Sequence, residues 1–326
     1  MSKPSELGAH AMISLVIPVH NEEEDVQELA RRIHGQLQDG YEIIFVDDGS
    51  TDATWERLRA IADPPRIQAI RFRRNFGKAA GLMAGFAASR GELVFTMDGD
   101  LQDDPAEIPR FLAKLEEGYD VIAGYKRKRH DPLNKVIASR IFNYVVRKLT
   151  KVDLHDMNCG FKLYRGQVAR EVRIYGELHR FIPALAAAEG YRIGEIEVQH
   201  HARQHGKSKY GISRLFKGFV DLITTLLITT YRTRPAHGFG WAALASMALS
   251  VVIALVSLPF TAGVEVYLFG KSFDLSWLGP ALWIKSLFFA VTAVVLMAAG
   301  WVAEVVIRAP LSANPAQQYA VEERLE

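Results

Sequence analysis

Up to Pro235 the apolar runs of the chain are short and separated by charges; beyond it they lengthen abruptly. MISLVIPV, residues 12–19, is a continuous and largely β-branched apolar run, as expected of a strand buried in a parallel sheet. EEEDVQELARRIHGQL follows, with Val26, Leu29, Ile33 and Leu37 at helical spacing. YEIIFVDDGS predicts a second buried strand that ends in carboxylates, and STDATWERLRAIA opens with capping residues and predicts a helix. RIQAIRF, GELVFTMDGD and YDVIAGY predict three more strands, with helices over GKAAGLMAGFAASRG and AEIPRFLAKLEEG. Strands alternating with helices predict an α/β fold with a mainly parallel sheet flanked by helices.

Beyond Pro235 the pattern is that of a membrane hairpin. Phe239–Phe260 is 22 residues without a charge, and Ser286–Ala303 is another 18. Each is close to the length that crosses a ~30 Å hydrocarbon core. The second run extends on both sides if Lys285 snorkels, giving spans of about 239–260 and 283–306. Arg232 and Arg234 precede the first span and Arg308 follows the second, so the positive-inside rule places both ends in the cytoplasm. Trp241, Trp277, Trp283 and Trp301 lie near the span ends, as interfacial anchors do. The chain thus divides into a cytoplasmic domain over 1–210, a juxtamembrane segment over 211–235, a hairpin over 236–308 and a polar, mobile cytoplasmic tail over 309–326. In the juxtamembrane segment Leu215, Phe216, Phe219, Leu222, Ile223, Leu226 and Leu227 recur at helical spacing. Such a helix suits the membrane interface, and packing against the soluble domain is the alternative. The expected location is the inner (plasma) membrane, and paired hairpins could associate as a homo-oligomer through Ala and Ser.

Net charge is +2, so bulk charge names no partner, and a nucleic-acid partner is not expected. Distribution says more: Lys126–Lys151 holds nine Lys/Arg and one acid, and Arg203–His237 holds seven and one. Two basic segments in a balanced chain suggest an anionic surface or substrate. The single cysteine, Cys159, excludes an intramolecular disulfide and is read as a small packed residue.

Three polar clusters fall just past strand C-termini: His20-Asn21-Glu22, Asp47-Asp48-Gly49-Ser50 and Asp98-Gly99-Asp100. Ligands of open α/β sheets bind outside those ends. No GxxxxGK[ST], HExxH or CxxC is present, and no GxGxxG follows the first strand. Asp98-x-Asp100-x-Gln102 begins like an EF-hand loop, but positions six and twelve are Asp103 and Pro109, so that reading fails. What remains is a pair of carboxylates two residues apart, able to reach one Mg²⁺ or Mn²⁺ that also binds substrate phosphates. Asp104 stands where a side chain caps the helix that Pro105 starts.

The motifs IPVHNEE (17–23), VDDGSTDAT (46–54), RNFGKAAGLMAGF (74–86), MDGDLQDDP (97–105), DMNCGFKLYR (156–165) and HARQHGKSKY (201–210) together resemble a family 2 glycosyltransferase of GT-A fold. The resemblance is to the polyprenyl- or dolichyl-phosphate sugar transferases, the group of dolichol-phosphate mannose synthase, in its bacterial membrane-bound branch. It implies an inverting transfer from a nucleotide sugar, UDP-glucose as first expectation, to a polyprenyl phosphate at the lipid bilayer. Donor-nucleotide positions are then Pro18, Asn21, Glu22, Asp48 and Asp98, with Arg203 and Lys209 on a loop that closes over the phosphates. Asp98, Asp100 and Gln102 would hold the metal, Asp100 being catalytic. Asp156 matches an aspartate proposed as a base; orienting the acceptor is the alternative role. Lys126, Lys135, Ser139 and Arg140 are expected at the acceptor phosphate, although Asn134 stands where mannose synthases have arginine. Two other readings are a processive polysaccharide synthase, which would need QxxRW and more spans, and an inactive nucleotide-binding membrane scaffold.

Overall fold

The computed structural model describes residues 11–126 apart from 38, 143–199 apart from 175, residue 201, positions 221, 222, 224–226 and 229, residues 235–308 apart from a few loop positions, and 319–325. It divides into two compact units, Met1–Thr229 with Asn314–Glu326, and Thr230–Ala313.

The first unit is an eight-stranded sheet. In chain order its strands are β1 (Ile13–Val19), β2 (Tyr41–Asp47), β3 (Ile67–Phe72), β4 (Leu93–Thr96), β5 (Val121–Tyr125), β6 (Lys162–Arg165), β7 (Ile193–Glu197) and β10 (Val321–Leu325). The helices are α1 (Val26–Gln36), α2 (Thr54–Ile61), α3 (Lys78–Ala88), α4 (Ile108–Leu115), α5 (Gly166–Glu171) and α6 (Ile182–Ala188). Spatial order is β10-β3-β2-β1-β4-β6-β5-β7. Pairings from β3 through β4 are parallel, β6 runs against both β4 and β5, and β10 runs against β3.

Period-two alternation splits the sheet between two cores. From β1 and β2, Ile13, Leu15, Ile17, Tyr41, Ile43 and Phe45 join Val26, Leu29, Leu58 and Phe111 on one side. Val16, Ile44 and Val46 face α3 on the other. The small residues of α3 serve close approach: a Cβ on Gly85 would lie 2.1 Å from Val16 Cγ1, and one on Gly81 3.1 Å from Pro18 Cβ. Strand order reverses beside β1, which pairs with β2 on one edge and β4 on the other, so the three polar clusters converge at a topological switch point.

β6, β7 and β10 are additions to the sequence reading. The end of the chain, expected as a polar mobile tail, is an edge strand over Val321–Leu325. Tyr319 stacks on Phe72 with ring centroids 4.9 Å apart, and Glu323 accepts from Trp55 Nε1 at 3.1 Å. These contacts lie some 250 residues or more away in the chain, so no local pattern signals them. In the juxtamembrane segment, Leu222 is 1% exposed and packs with Leu226 into the core that contains α3. The described residues of that segment therefore show the packing alternative.

The second unit is a helical hairpin, α7 (Pro235–Thr261) and α8 (Leu278–Arg308), joined through an antiparallel ribbon, β8 (Glu265–Leu268) and β9 (Lys271–Asp274). Its apolar spans, Ala236–Thr261 and Leu278–Glu304, have mean hydropathies of 2.2 and 2.1. Both begin before the uncharged runs because Pro235 and Pro280 fall in first turns, where proline is tolerated. The helices meet through small residues: a Cβ on Gly300 would lie 2.7 Å from Phe239 Cβ. Ser250 Oγ donates to the Ser286 carbonyl at 2.8 Å and Ser286 Oγ to that of Ser250 at 2.9 Å. Leu255, Ile284, Leu287, Phe288 and Val294 point outward, 60–70% exposed, a surface suited to lipid.

Candidate active site

The loops after β1 and β2 are built as one piece. Asn21 adopts φ +56°, which turns the chain sharply after β1. Its backbone N–H donates to Ser50 Oγ at 2.9 Å, and its Oδ1 accepts from Thr51 N at 2.9 Å. Glu22 N donates to Thr54 Oγ1, and His20 Nδ1 lies 3.0 Å from the Asp48 carbonyl. Pro18 is in β1, opposite Val46. Asp48 accepts from Phe76 N at 2.6 Å and Gly77 N at 2.9 Å, binding the β2 loop to the start of α3. Burial pushes both Asp47 and Asp48 above the usual carboxylate range, against the hydrogen bonds they accept. Asn21 and Asp48 thus tie the loops after β1 and β2 to each other and to the start of α3.

β4 delivers the acidic motif to the same edge. Gly99 is required by close packing, since a Cβ there would lie 2.6 Å from Val19 Cγ1. Lys78 Nζ, on the first residue of α3, donates to Asp98 Oδ1. Lys126 Nζ lies 2.9 Å from Asp103 Oδ1, and Asp103 is 1% exposed. Burial alone would raise the Asp98 pKa; Lys78, Lys126 and Lys162 outweigh it and hold the carboxyl well below its ordinary range. Lys162 is itself buried, donates from Nζ to the Cys159 carbonyl, and is pushed down to about 8 by burial. Two of the four aspartates of MDGDLQDDP, Asp98 and Asp103, are thus each paired with an ammonium group.

The rest of the motif serves the frame. Asp100 Oδ1 accepts from Gln102 N at 3.3 Å. Gln102 Nε2 donates to the His201 carbonyl at 3.3 Å, His201 N donates to the Gln102 carbonyl at 3.0 Å, and His201 Nε2 lies 3.1 Å from Asp104 Oδ2. The first residue of HARQHGKSKY is therefore bonded to the metal motif. Asp104 accepts from Ala106 N at 2.9 Å and caps the turn that Pro105 opens, as the sequence implied.

Asp156 is 1% exposed and accepts from Asn158 N at 3.2 Å, while its own N–H donates to Glu195 Oε1. That places it in the turn leading to Cys159 and Gly160. Burial pushes the Cys159 thiol up to about 12, so it is no nucleophile at neutral pH. Arg203, Lys209, Lys135, Ser139 and Arg140 lie outside the described residues.

Four residues not singled out from sequence belong here: Lys78, Lys162, His179 and Gly160. Lys78 and Lys162 lay inside recognised motifs, but nothing local showed that α3 and β6 aim them at Asp98. His179, in the turn Leu178–Phe181, has a buried Nδ1 without a hydrogen-bond partner among the described residues. Burial, with Lys78, Arg180 and Lys162 nearby, drives its pKa well below the ordinary value, so it is neutral.

Among the described residues no cluster of three His, Cys, Asp or Glu could hold a metal by itself. Two carboxylates, with phosphates completing the shell, are the usual protein contribution for Mg²⁺. Asp98 and Asp100 fit that role, and an ammonium already stands against Asp98.

Residues 14–173 match the model of glycosyl transferase family 2. A dodecaprenyl-phosphate galacturonate synthase of Rhizobium johnstonii is 42% identical over 252 residues, 74% of this chain and 75% of that one. The chain belongs to glycosyl transferase family 2. Within it, the chain falls among the polyprenyl-phosphate sugar transferases: an undecaprenyl-phosphate 4-deoxy-4-formamido-L-arabinose transferase of Pseudomonas aeruginosa is 38% identical over 256 residues, 77% of this chain and 75% of that one. Of solved structures, glucosyl-3-phosphoglycerate synthase from Mycobacterium tuberculosis with Mn²⁺, UDP-glucose and phosphoglyceric acid superimposes with TM-score 0.52 at 22% identity, over 67% of this chain and 79% of that one. That likeness establishes the GT-A fold of this family 2 transferase.

Proposed function

We propose that this family 2 transferase moves one sugar from a UDP-sugar to a polyprenyl phosphate, inverting the anomeric carbon and releasing UDP. The observation that carries this is that Asp98-Gly99-Asp100, at the end of β4, stands at the same sheet edge as the β1 and β2 loops, with the Lys78 ammonium bonded to Asp98 and Lys126 paired with Asp103. An acceptor phosphate oxygen forms the bond to C1 as the bond from C1 to the diphosphate breaks. Phosphate monoesters have a second pKa of about 6, so the attacking oxygen is already ionised at neutral pH. A base is then unnecessary, and buried Asp156 acts by holding the Cys159-Gly160 turn behind Asp98.

Asp98 and Asp100 would hold the divalent ion, with Gln102 fixing the loop, and the ion would neutralise the departing diphosphate. Pro18, Asn21, Glu22 and Asp48 form the nucleotide side, and the family resemblance assigns Arg203 and Lys209, which follow His201 in sequence, to the donor phosphates. Lys126 stands on the acceptor side with Lys135, Ser139 and Arg140 following it in sequence. The hairpin anchors the chain in the bilayer that holds the acceptor lipid, which raises the acceptor's effective concentration. Because β10 belongs to the catalytic sheet, the chain leaves that unit, passes through two spans and returns to it. That supports both hairpin ends on one side, and Arg232, Arg234 and Arg308 flanking the spans support the cytoplasmic side.

A radiolabelled nucleotide-sugar assay with lipid extraction tests the reaction. The expected product is a lipid-linked monosaccharide; a polymer would identify a processive synthase, and no product a scaffold. The donor panel compares UDP-glucose, the expectation from sequence, with UDP-galacturonate, suggested by the Rhizobium relative, and GDP-mannose.

A further inference from the structure

Asp98 is held from two sides. Gly160 lies against its carboxylate, and the Lys78 ammonium is bonded to Oδ1. Lys78 cannot drift far, because its backbone is the first residue of α3 and the two preceding amides, Phe76 and Gly77, are fixed by Asp48. Its side chain is a third exposed, with room to rotate, and a lysine is a point charge on a flexible four-carbon stem. The neighbouring charges are Lys162, whose Nζ is tied to the Cys159 carbonyl, and Lys126, paired with Asp103. Lys78 is therefore the ammonium placed on the carboxylate that a divalent ion would take.

A dication and an ammonium at one carboxylate oxygen repel each other strongly at such short range. We infer that Lys78 and the divalent ion are alternative partners of Asp98, and that ion binding releases the Lys78 ammonium to the phosphate groups of the substrates. The lysine holds Asp98 in place without the ion, then becomes an anion ligand once the ion arrives. This rests on the reading of Asp98 and Asp100 as metal ligands.

The test uses the full-length chain in detergent and Mn²⁺ alone, read from loss of the free-ion electron paramagnetic resonance signal. The native chain should bind Mn²⁺ and Asp98→Asn should lose it. Lys78→Met should bind Mn²⁺ roughly three- to tenfold more tightly than the native chain, since a competing ion pair has gone. Lys78→Gln, a second neutral variant, should do the same, and Lys78→Arg should stay near native. Added UDP should strengthen Mn²⁺ binding less in Lys78→Met than in the native chain, because the released ammonium is missing. Unchanged or weaker Mn²⁺ binding in both neutral variants, with loss in Asp98→Asn, overturns the exchange and leaves the metal site standing. Equal strengthening by UDP in Lys78→Met and native overturns the anion role. No Mn²⁺ binding by the native chain overturns the metal reading and the exchange together.

Discussion

A methyl group on Gly160 would lie 2.6 Å from both carboxylate oxygens of Asp98. Gly160 therefore forms the floor beneath Asp98, and a side chain there must push the carboxylate away. Gly160→Ala is expected to cost about 1–3 kcal/mol of stability, as overpacking does. Its larger effect should be on Mn²⁺ affinity and sugar transfer, both falling at least about tenfold if ligand geometry is what catalysis depends on. Titration calorimetry with Mn²⁺ and the lipid-extraction assay check this; native affinity in the variant would show that Asp98 does not need that floor.

Asp100→Ala should abolish transfer while leaving the melting transition close to native, because Asp100 is only half-buried. Excess chelator should do the same to the native chain, and added Mn²⁺ or Mg²⁺ should restore it. Full activity under either treatment would refute the metal assignment.

Lys162 gives a pH dependence of defined sign. Its pKa falls from the ordinary lysine value to about 8 in the folded chain, chiefly through burial. The folded protein binds fewer protons than the unfolded chain between about 8 and 10.5, so stability rises with pH across that window. Below about 8 the cost of burying the charge is fully present. Without metal, the native chain should gain stability relative to Lys162→Met as pH rises from ~7.5 to ~10. Denaturant midpoints measured side by side at several pH values check it, and parallel curves would show that Lys162 is not desolvated.

Deleting residues 319–326 removes the ring stacked on Phe72 and the carboxylate that Trp55 and Arg59 share. It also turns β3 into an exposed edge. A loss of about 2–4 kcal/mol from the catalytic unit is expected from an aromatic contact and several hydrogen bonds. Hydrogen exchange should show the loss at β3 amides first.

The orientation can be read with thiol labelling, since buried Cys159 contributes little background. Ser272→Cys, in the ribbon between the spans, should react with an impermeant maleimide added to intact spheroplasts. Glu322→Cys, exposed on β10, should react only after permeabilisation. The reverse pattern would invert the topology.

The α/β alternation, the strand ends that carry the polar clusters, and the apolar hairpin are all written in the chain's local pattern. Each follows from local periodicity or run length, which a single chain displays directly. The strand-end position of Asp98 and Asp100 and the cap at Asp104 were legible for the same reason: they lie within one short motif at one strand end. The reversed strand β6, the edge strand β10 and the inward packing of Leu222 were decided only by tertiary contacts, because short, mixed-polarity segments gain their structure from distant partners. So was the environment of Asp98. Lys78 comes from the start of α3, Lys126 from the end of β5, Lys162 from β6 and Gly160 from the turn before it. Charge compensation depends on distance in space, and only the folded sheet brings those four positions to one carboxylate.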